Sequence, residues 1–186
     1  MKKKKWITLS AVLLFLVIVS VLSIRINSIY PQGEEIIYGV NEDIPYGDDV
    51  YIRVNEARFL SEEEKEEIHP DEYQRGVIFE SLVASVTVKN IGTEERTPEL
   101  YPIMVESGVF ANGCELFAMW RINENWENQT PLSTLKPGEE VTVLMPFLMA
   151  EIRFQSDDWE QVKEREFKLV FNLYPQKKSI LLSIDE

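Results

Sequence analysis

The hydrophobic residues of this chain follow one pattern at its start and another over the rest. Residues 6–24 are 19 uncharged, mostly apolar positions, and four lysines, Lys2 to Lys5, precede them. A helix of 19 residues is roughly 28 Å long and a bilayer core is about 30 Å thick, so this stretch predicts a transmembrane signal anchor. The positive-inside rule then places residues 1–5 in the cytoplasm as a short basic tail.

A cleaved secretory signal is the alternative interpretation of this stretch. Such signals have a shorter apolar region, of about 7 to 15 residues, and a small-x-small cleavage site. Residues 21–23, Val-Leu-Ser, match that site poorly. Both interpretations place the remainder outside the cytoplasm, as a linker over residues 25–35 with the turn formers Pro31 and Gly33, followed by one domain over 36–186.

Beyond the linker, apolar residues recur at every second position, which is typical of half-buried strands. The clearest run covers residues 82–88, where Leu82, Ala84, Val86 and Val88 share one face. Another covers 50–59, and its parity changes near Asn55, which predicts a β-bulge. Further strands are predicted over the ranges 36–40, 100–105 and 141–149, in a hairpin at 109–122 with Asn112-Gly113 at its tip, and in a C-terminal hairpin at 167–184.

Helix signals are few. Ser61 and Glu64 fit a capping box, and His69 before Pro70 ends the helical pattern, so a two-turn helix is expected over 62–68. A second short helix is expected at 157–160. The fold class is therefore all-β: an antiparallel immunoglobulin-like β-sandwich of about seven to nine strands with one or two short helices.

Charge narrows the range of partners. The first 25 residues carry five of the 19 basic residues and no acid, which leaves 14 basic against 32 acidic residues, a formal charge of −18, for the remainder. A surface of this kind repels nucleic acid and favours cationic partners. Cys114 is the sole cysteine, so no intramolecular disulfide forms and the fold depends on its hydrophobic core.

Two segments resemble a known class of domain. They are the strand and turn VASVTVKNIGTE at 83–94 and the turn and strand LKPGEEVTVLMPF at 135–147. This arrangement resembles the immunoglobulin-like domains of unknown function on lipoproteins and membrane-anchored surface proteins of Gram-positive bacteria. The resemblance implies a place at the cell envelope and brings no catalytic residues. The chain lacks the lipid-acceptor cysteine of the lipoproteins, so the apolar helix is the expected anchor.

Little in the sequence indicates catalysis or metal binding. Cys114 and His69 are a thiol and a base, but no local signature joins them, and a small packed cysteine is the expected role. The acidic run at 62–72 offers oxygen ligands for calcium, yet its spacing matches no calcium loop and fits a solvated helix face. We therefore predict no catalytic residue, no metal site and no cofactor.

Three tryptophans form the most interesting candidate set. Trp120, Trp126 and Trp159 accompany the amides of Asn123 and Asn125, and Tyr101 is a further aromatic residue. Aromatic faces beside amides and carboxylates suit stacking on sugars or holding a peptide. The opposing expectation is that Trp120 and Trp159 belong to the core or its edge, and that Trp126 packs within its loop.

The sequence therefore predicts a single-pass membrane protein with a cytoplasmic N-terminus and an extracytoplasmic domain. Its expected role is non-enzymatic binding of an envelope protein or peptide, with no nucleic-acid partner. A cell-wall glycan-binding module and a hydrolase without a recognisable motif are the alternatives.

Overall fold

The computed structural model describes residues 2–29, 34–123, 134–173 and 176–185. It divides the chain into two compact units, Met1–Glu34 and Glu35–Glu186. In the first, α1 (Lys2–Ile29) extends beyond the predicted span of 6–24, so residues 25–29 of the predicted linker are helical. Its segment Val12–Ile29 is long and apolar enough to cross a membrane, and a secretory signal passes the same test. By length and composition, this helix suits a membrane anchor or a signal sequence.

The described residues of the second unit form two five-stranded sheets. Their strands, in chain order, are β1 (Glu35–Tyr38), β2 (Ile44–Pro45), β3 (Val50–Phe59), β4 (Phe79–Asn90), β5 (Met104–Ser107), β6 (Phe110–Gly113), β7 (Glu140–Ala150), β8 (Lys168–Asn172), β9 (Lys177–Leu181) and β10 (Ile184–Asp185). One sheet has the order β1-β9-β8-β5-β6, and the other has β10-β3-β4-β7 with β2 paired to β3.

Within the described ranges, four short α-helices accompany the sheets: α2 (Glu62–Ile68), α3 (Pro70–Gln74), α4 (Leu116–Ile122) and α5 (Ser156–Glu160). The prediction of one or two helices was therefore too low. The strands of the described part exceed the predicted seven to nine because β2 and β10, two residues each, are added. The prediction of an antiparallel sandwich holds for most strand pairs, but β1 pairs with β9 and β10 with β3 in parallel.

Several local predictions are confirmed. The register of β3 against β4 shifts between Val54 and Glu56, which is the expected bulge. Ser61 caps α2 with the full capping box, and the helix covers the predicted 62–68. The turn before β7 has Gly138 at φ +77°, the left-handed conformation that a type II turn requires at its third position.

The predicted hairpin over 109–122 was wrong. The turn lies at Gly108-Val109, between β5 and β6, so Asn112-Gly113 falls inside a strand. Residues 116–122, predicted as a strand, form α4. The physical reason is that the Glu115 carboxylate accepts hydrogen bonds from the backbone N–H groups of Phe117 and Ala118 and so caps a helix start.

The main core lies between the two sheets. As predicted, Leu82, Ala84, Val86 and Val88 of β4 all enter it. A second, smaller cluster covers the opposite side of the same strand and consists of Leu60, Ile68, Val83 and Ala118. Because α2 and α4 supply Ile68 and Ala118, these helices cover one face of the β4 sheet, and β4 is buried on both faces.

Candidate functional site

Helix α4 carries an exposed aromatic surface, defined here as Leu116, Phe117 and Trp120. Ala118 and Met119 on the same helix are buried and hold it against the sandwich. The exposed fractions of Phe117 and Trp120 are 63% and 46%. Their ring centroids lie 5.4 Å apart at an interplanar angle of 83°, an edge-to-face pair. The predicted site residue Trp120 is therefore on the surface, where a partner can reach it.

Asn123 ends α4 and connects it to strand β7. Its Nδ2 donates to the carbonyl oxygens of Met119, at 2.7 Å, and Leu144, at 2.9 Å. Its Oδ1 accepts from the Leu144 N–H at 2.9 Å. Both ends of the amide are thus engaged within the chain, which gives Asn123 a structural role.

Among the described residues, Trp159 and Tyr101 do not lie with Trp120 in one site. Trp126 and Asn125 lie outside the described residues. Trp159 is a half-buried residue of α5, and its ring centroid lies 5.6 Å from that of Phe154, which packs on the main core. Tyr101 is exposed and donates its hydroxyl hydrogen to a Glu99 carboxylate oxygen at 2.7 Å. Trp159 belongs to a separate groove.

That groove, named here the α2–α5 groove, has a volume of about 720 Å³. Helices α2 and α3 with the segment before β4 form one side, and α5 with the residues after it forms the other. Tyr73, Val77, Ile78 and Trp159 contribute apolar surface. Ile78 has an exposed fraction of 60%, an unusual position for an isoleucine next to a strand.

Charged side chains surround the apolar surface of the α2–α5 groove. Lys65 is almost fully buried and its Nζ lies 2.5 Å from a Glu62 oxygen and 3.3 Å from a Glu80 oxygen. Burial lowers the pKa of Lys65, but the hydrogen bonds to these two carboxylates outweigh burial and raise it. Lys163 contacts the other Glu80 oxygen at 3.1 Å. Both lysines are therefore neutralised by groove carboxylates.

A second groove, of about 650 Å³, lies between the loop after β2, the loop before β5 and the end of β8. Pro45, Tyr46, Pro98 and Phe171 line much of it. The Tyr46 hydroxyl donates to the Glu99 carbonyl oxygen, and burial raises the pKa of Tyr46 to about 12. This groove contains none of the tryptophans in the described part of the chain.

Sequence reasoning missed a constellation of the buried His69 and Ser81 with the half-buried Glu115. The Nε2 of His69 lies 2.9 Å from the Ser81 hydroxyl, and its Nδ1 lies 3.9 Å from a Glu115 carboxylate oxygen. This order imitates a catalytic triad, but His69 and Ser81 are both completely buried. Glu115 is too far to bind the ring and instead caps α4. These three residues join α4 and the α2–α3 junction to β4, with no access for a substrate.

Cys114 is not an activated thiol. Burial raises its pKa far above the usual value, and Sγ lies 3.6 Å from the Met119 sulfur.

The acidic run at 62–72 is divided between α2 and α3. Glu64 of this run accepts hydrogen bonds from Arg58 and from the Ser61 N–H. Among the described residues, no three His, Cys, Asp or Glu side chains form a group suited to a metal ion.

Comparison with solved structures finds resemblances of limited strength. A functionally unknown protein from Listeria monocytogenes is 11% identical, with 76% of this chain and 79% of that one covered and a TM-score of 0.49. An uncharacterised β-sandwich protein from Clostridium difficile is 12% identical, with 81% and 95% covered and a TM-score of 0.44. A conserved hypothetical protein from Bacillus anthracis is 15% identical, with 76% and 94% covered and a TM-score of 0.48. No function is inferred from these resemblances.

None of the curated proteins matches this chain in sequence. A family model does match, over residues 27–178, which include nearly all of the β-sandwich. The chain therefore belongs to the DUF5028 family, a domain of unknown function.

Proposed function

We propose that this chain is an extracytoplasmic β-sandwich module of immunoglobulin-like type that α1 anchors, by a single pass, in the membrane of a Gram-positive bacterium. It binds a protein of the cell envelope and catalyses no reaction. The length and apolar composition of α1 support the anchor. The acidic balance of the remaining chain favours a cationic partner and opposes nucleic acid.

The observation that carries this proposal is the aromatic surface of α4. Phe117 and Trp120 are not needed to hold the helix, because Ala118 and Met119 do so from the buried side. Large aromatic side chains left on a fixed helix cost free energy in water and are the residues that dominate protein interfaces when covered. A protein partner that covers Leu116, Phe117 and Trp120 accounts for their position.

Photocrosslinking on intact cells tests this surface. The full chain is produced with p-benzoylphenylalanine in place of Phe117, and we expect one discrete adduct after irradiation. The adduct should disappear when Trp120 is also changed to serine. The matched control places the same group at Val109, which is fully exposed on the β5–β6 turn. Absence of an adduct at position 117, or an equal adduct at 109, would contradict the proposal.

The glycan-binding alternative is examined on the same full-length protein. Wall oligosaccharides are titrated while tryptophan emission is recorded for the wild type, Trp120→Ala and Trp126→Ala. The Asn123 amide is hydrogen-bonded to Leu144 and is therefore poorly placed to bind a sugar stacked on Trp120. We therefore expect no saturable change in tryptophan emission. A saturable change that either substitution removes would favour glycan binding over protein binding.

A further inference from the structure

The α2–α5 groove is distinct from the aromatic surface of α4, and its apolar surface is open to water. Tyr73, Val77 and Ile78 are all exposed there, beside the half-buried Trp159. Trp159 is fixed from behind by Phe154, so its position does not depend on a ligand. The groove is thus a preformed concave site with an aromatic and aliphatic floor, the usual form of a small binding pocket.

Negative charge predominates in the α2–α5 groove. Four carboxylates, from Glu62, Glu80, Glu160 and Glu164, line the groove together with two lysines. Both lysines already contact Glu62 or Glu80. Glu160 and Glu164 are exposed, and neither forms an ion pair with any described residue. Within the described part of the chain, these two negative charges of the groove therefore have no cationic partner, and a cation of a binding partner can pair with them.

A cation already contacts an aromatic ring of the α2–α5 groove. The Lys65 ammonium lies 5.6 Å from the centroid of the Phe79 ring, within the range of a cation–π contact. Trp159 and Tyr73 present further rings to the same space. A lysine or arginine that enters near Glu160 meets both a carboxylate and an aromatic face.

We infer that the α2–α5 groove binds a short cationic segment of a partner protein, in which an apolar side chain is adjacent to lysine or arginine. The apolar side chain packs against Ile78 and Trp159, and the basic residues pair with Glu160 and Glu164. An acidic segment meets like charges at the rim, and a polar basic segment leaves Ile78 uncovered. This site is independent of α4, so the proposed function and this inference are tested separately.

The test uses the full chain in nanodiscs of neutral lipid and the fluorescein-labelled peptide (Lys-Leu)₄ at about 0.1 M salt, where the Debye length is about 10 Å. Fluorescence anisotropy should show saturable binding that Glu160→Gln/Glu164→Gln weakens about five- to tenfold. Ile78→Asn should weaken it about fivefold, since an apolar contact is lost. The peptides (Glu-Leu)₄ and (Lys-Ser)₄ should bind at least about tenfold more weakly than (Lys-Leu)₄.

The matched control is Glu67→Gln/Glu95→Gln, which removes the same charge from exposed positions outside the groove. It should change the dissociation constant less than about twofold, because distant exposed charges are screened. All the replaced side chains are exposed, and equal melting temperatures will show that the variants are folded. Lack of binding by (Lys-Leu)₄, an equal loss in the control pair, or equal binding of (Glu-Leu)₄ would overturn the inference.

Discussion

His69 is the only histidine of the chain and its ring is completely buried. Ser81 is its hydrogen-bonding partner at Nε2, and Nδ1 has no hydrogen-bonding partner in the described part of the protein. Burial lowers the pKa of His69 to about 4; Glu72 opposes this shift and Arg121 adds to it. The Glu115 carboxylate also faces the ring, from the start of α4. His69 is therefore neutral in the folded protein at neutral pH.

This shift predicts a loss of stability on mild acidification. The unfolded chain binds a proton at His69 below about pH 6.5, whereas the folded chain does so only near pH 4, so the free energy of unfolding decreases as pH falls through this window. Between pH 7 and 5 the loss should be about 2 kcal/mol. Urea unfolding of the full chain in detergent, followed by tryptophan emission, measures it.

The control variant is His69→Gln, which keeps a donor for Ser81 and does not titrate. All carboxylates are unchanged in this variant, so the difference between the two pH profiles isolates His69. Glu64 does not interfere, because hydrogen bonds from Arg58 and Ser61 lower its pKa to about 2 and its contribution is lost at lower pH. Equal slopes for wild type and variant between pH 7 and 5 would contradict the prediction.

At the scale of elements, strand β7 shows how the chain covers the open edge of a sheet. Among the described strands it pairs with β4 alone, so its other edge has no neighbouring strand there. The chain covers this edge with side chains and backbone: Asn123 binds both backbone groups of Leu144, the Glu115 N–H binds the Pro146 carbonyl, and Asn112 binds the Leu148 carbonyl. Pro146 itself has no N–H to offer. Asn123 therefore protects an edge strand.

We expect Asn123→Ala to destabilise the domain by about 2 kcal/mol, since three hydrogen bonds are lost and the Leu144 groups become unsatisfied. The exposed edge should also increase aggregation on prolonged incubation. Chemical unfolding and thioflavin fluorescence measure the two effects. Phe117→Ser, which removes an exposed side chain of the same helix, should change stability by less than about 0.5 kcal/mol. A similar stability for both variants would argue against this role of Asn123.

Elements defined by neighbouring residues were predictable from the sequence, and those defined by distant partners were not. The α2 capping box and the bulge in β3 depend on side chains within a few positions, and both are confirmed. Helix α4 was missed because glutamate at 115 is not a usual cap and the apolar run after it also fits a strand. The parallel pairing of β1 with β9 depends on residues about 140 positions apart, for which the sequence shows no signal.

The same distinction applies to the candidate sites. Trp120 was predicted as a candidate binding residue because it is a tryptophan, and the structure places it on the surface. The α2–α5 groove was not predicted, because its two sides come from residues 62–80 and 159–164. Only the folded sandwich brings Ile78 and Trp159 into the same groove. Residue type thus indicated a candidate, and tertiary structure supplied its neighbours.

At the scale of the whole molecule, the nature of α1 decides whether the sandwich stays at the membrane. The helix continues to Ile29, and its apolar stretch is longer than that of most cleaved signals. The residues at 21–23, Val-Leu-Ser, offer a signal peptidase a poor site because valine is large at the first position. We therefore predict that the chain remains uncleaved and cannot be extracted from membranes by alkaline carbonate.

Expression with a C-terminal tag in a bacterial host, followed by fractionation and intact mass measurement, tests this prediction. The wild type should be found in the membrane fraction with its N-terminal helix present. The variant Val21→Ala/Ser23→Ala creates the small-x-small pattern that signal peptidase recognises, so it should be cut after position 23 and released in shortened form. Because this variant changes only two side chains of α1, it separates the effect of the cleavage site from that of helix length. Release of the wild type without residues 1–23 would show that α1 is a secretory signal and would leave the sandwich as a free extracellular protein.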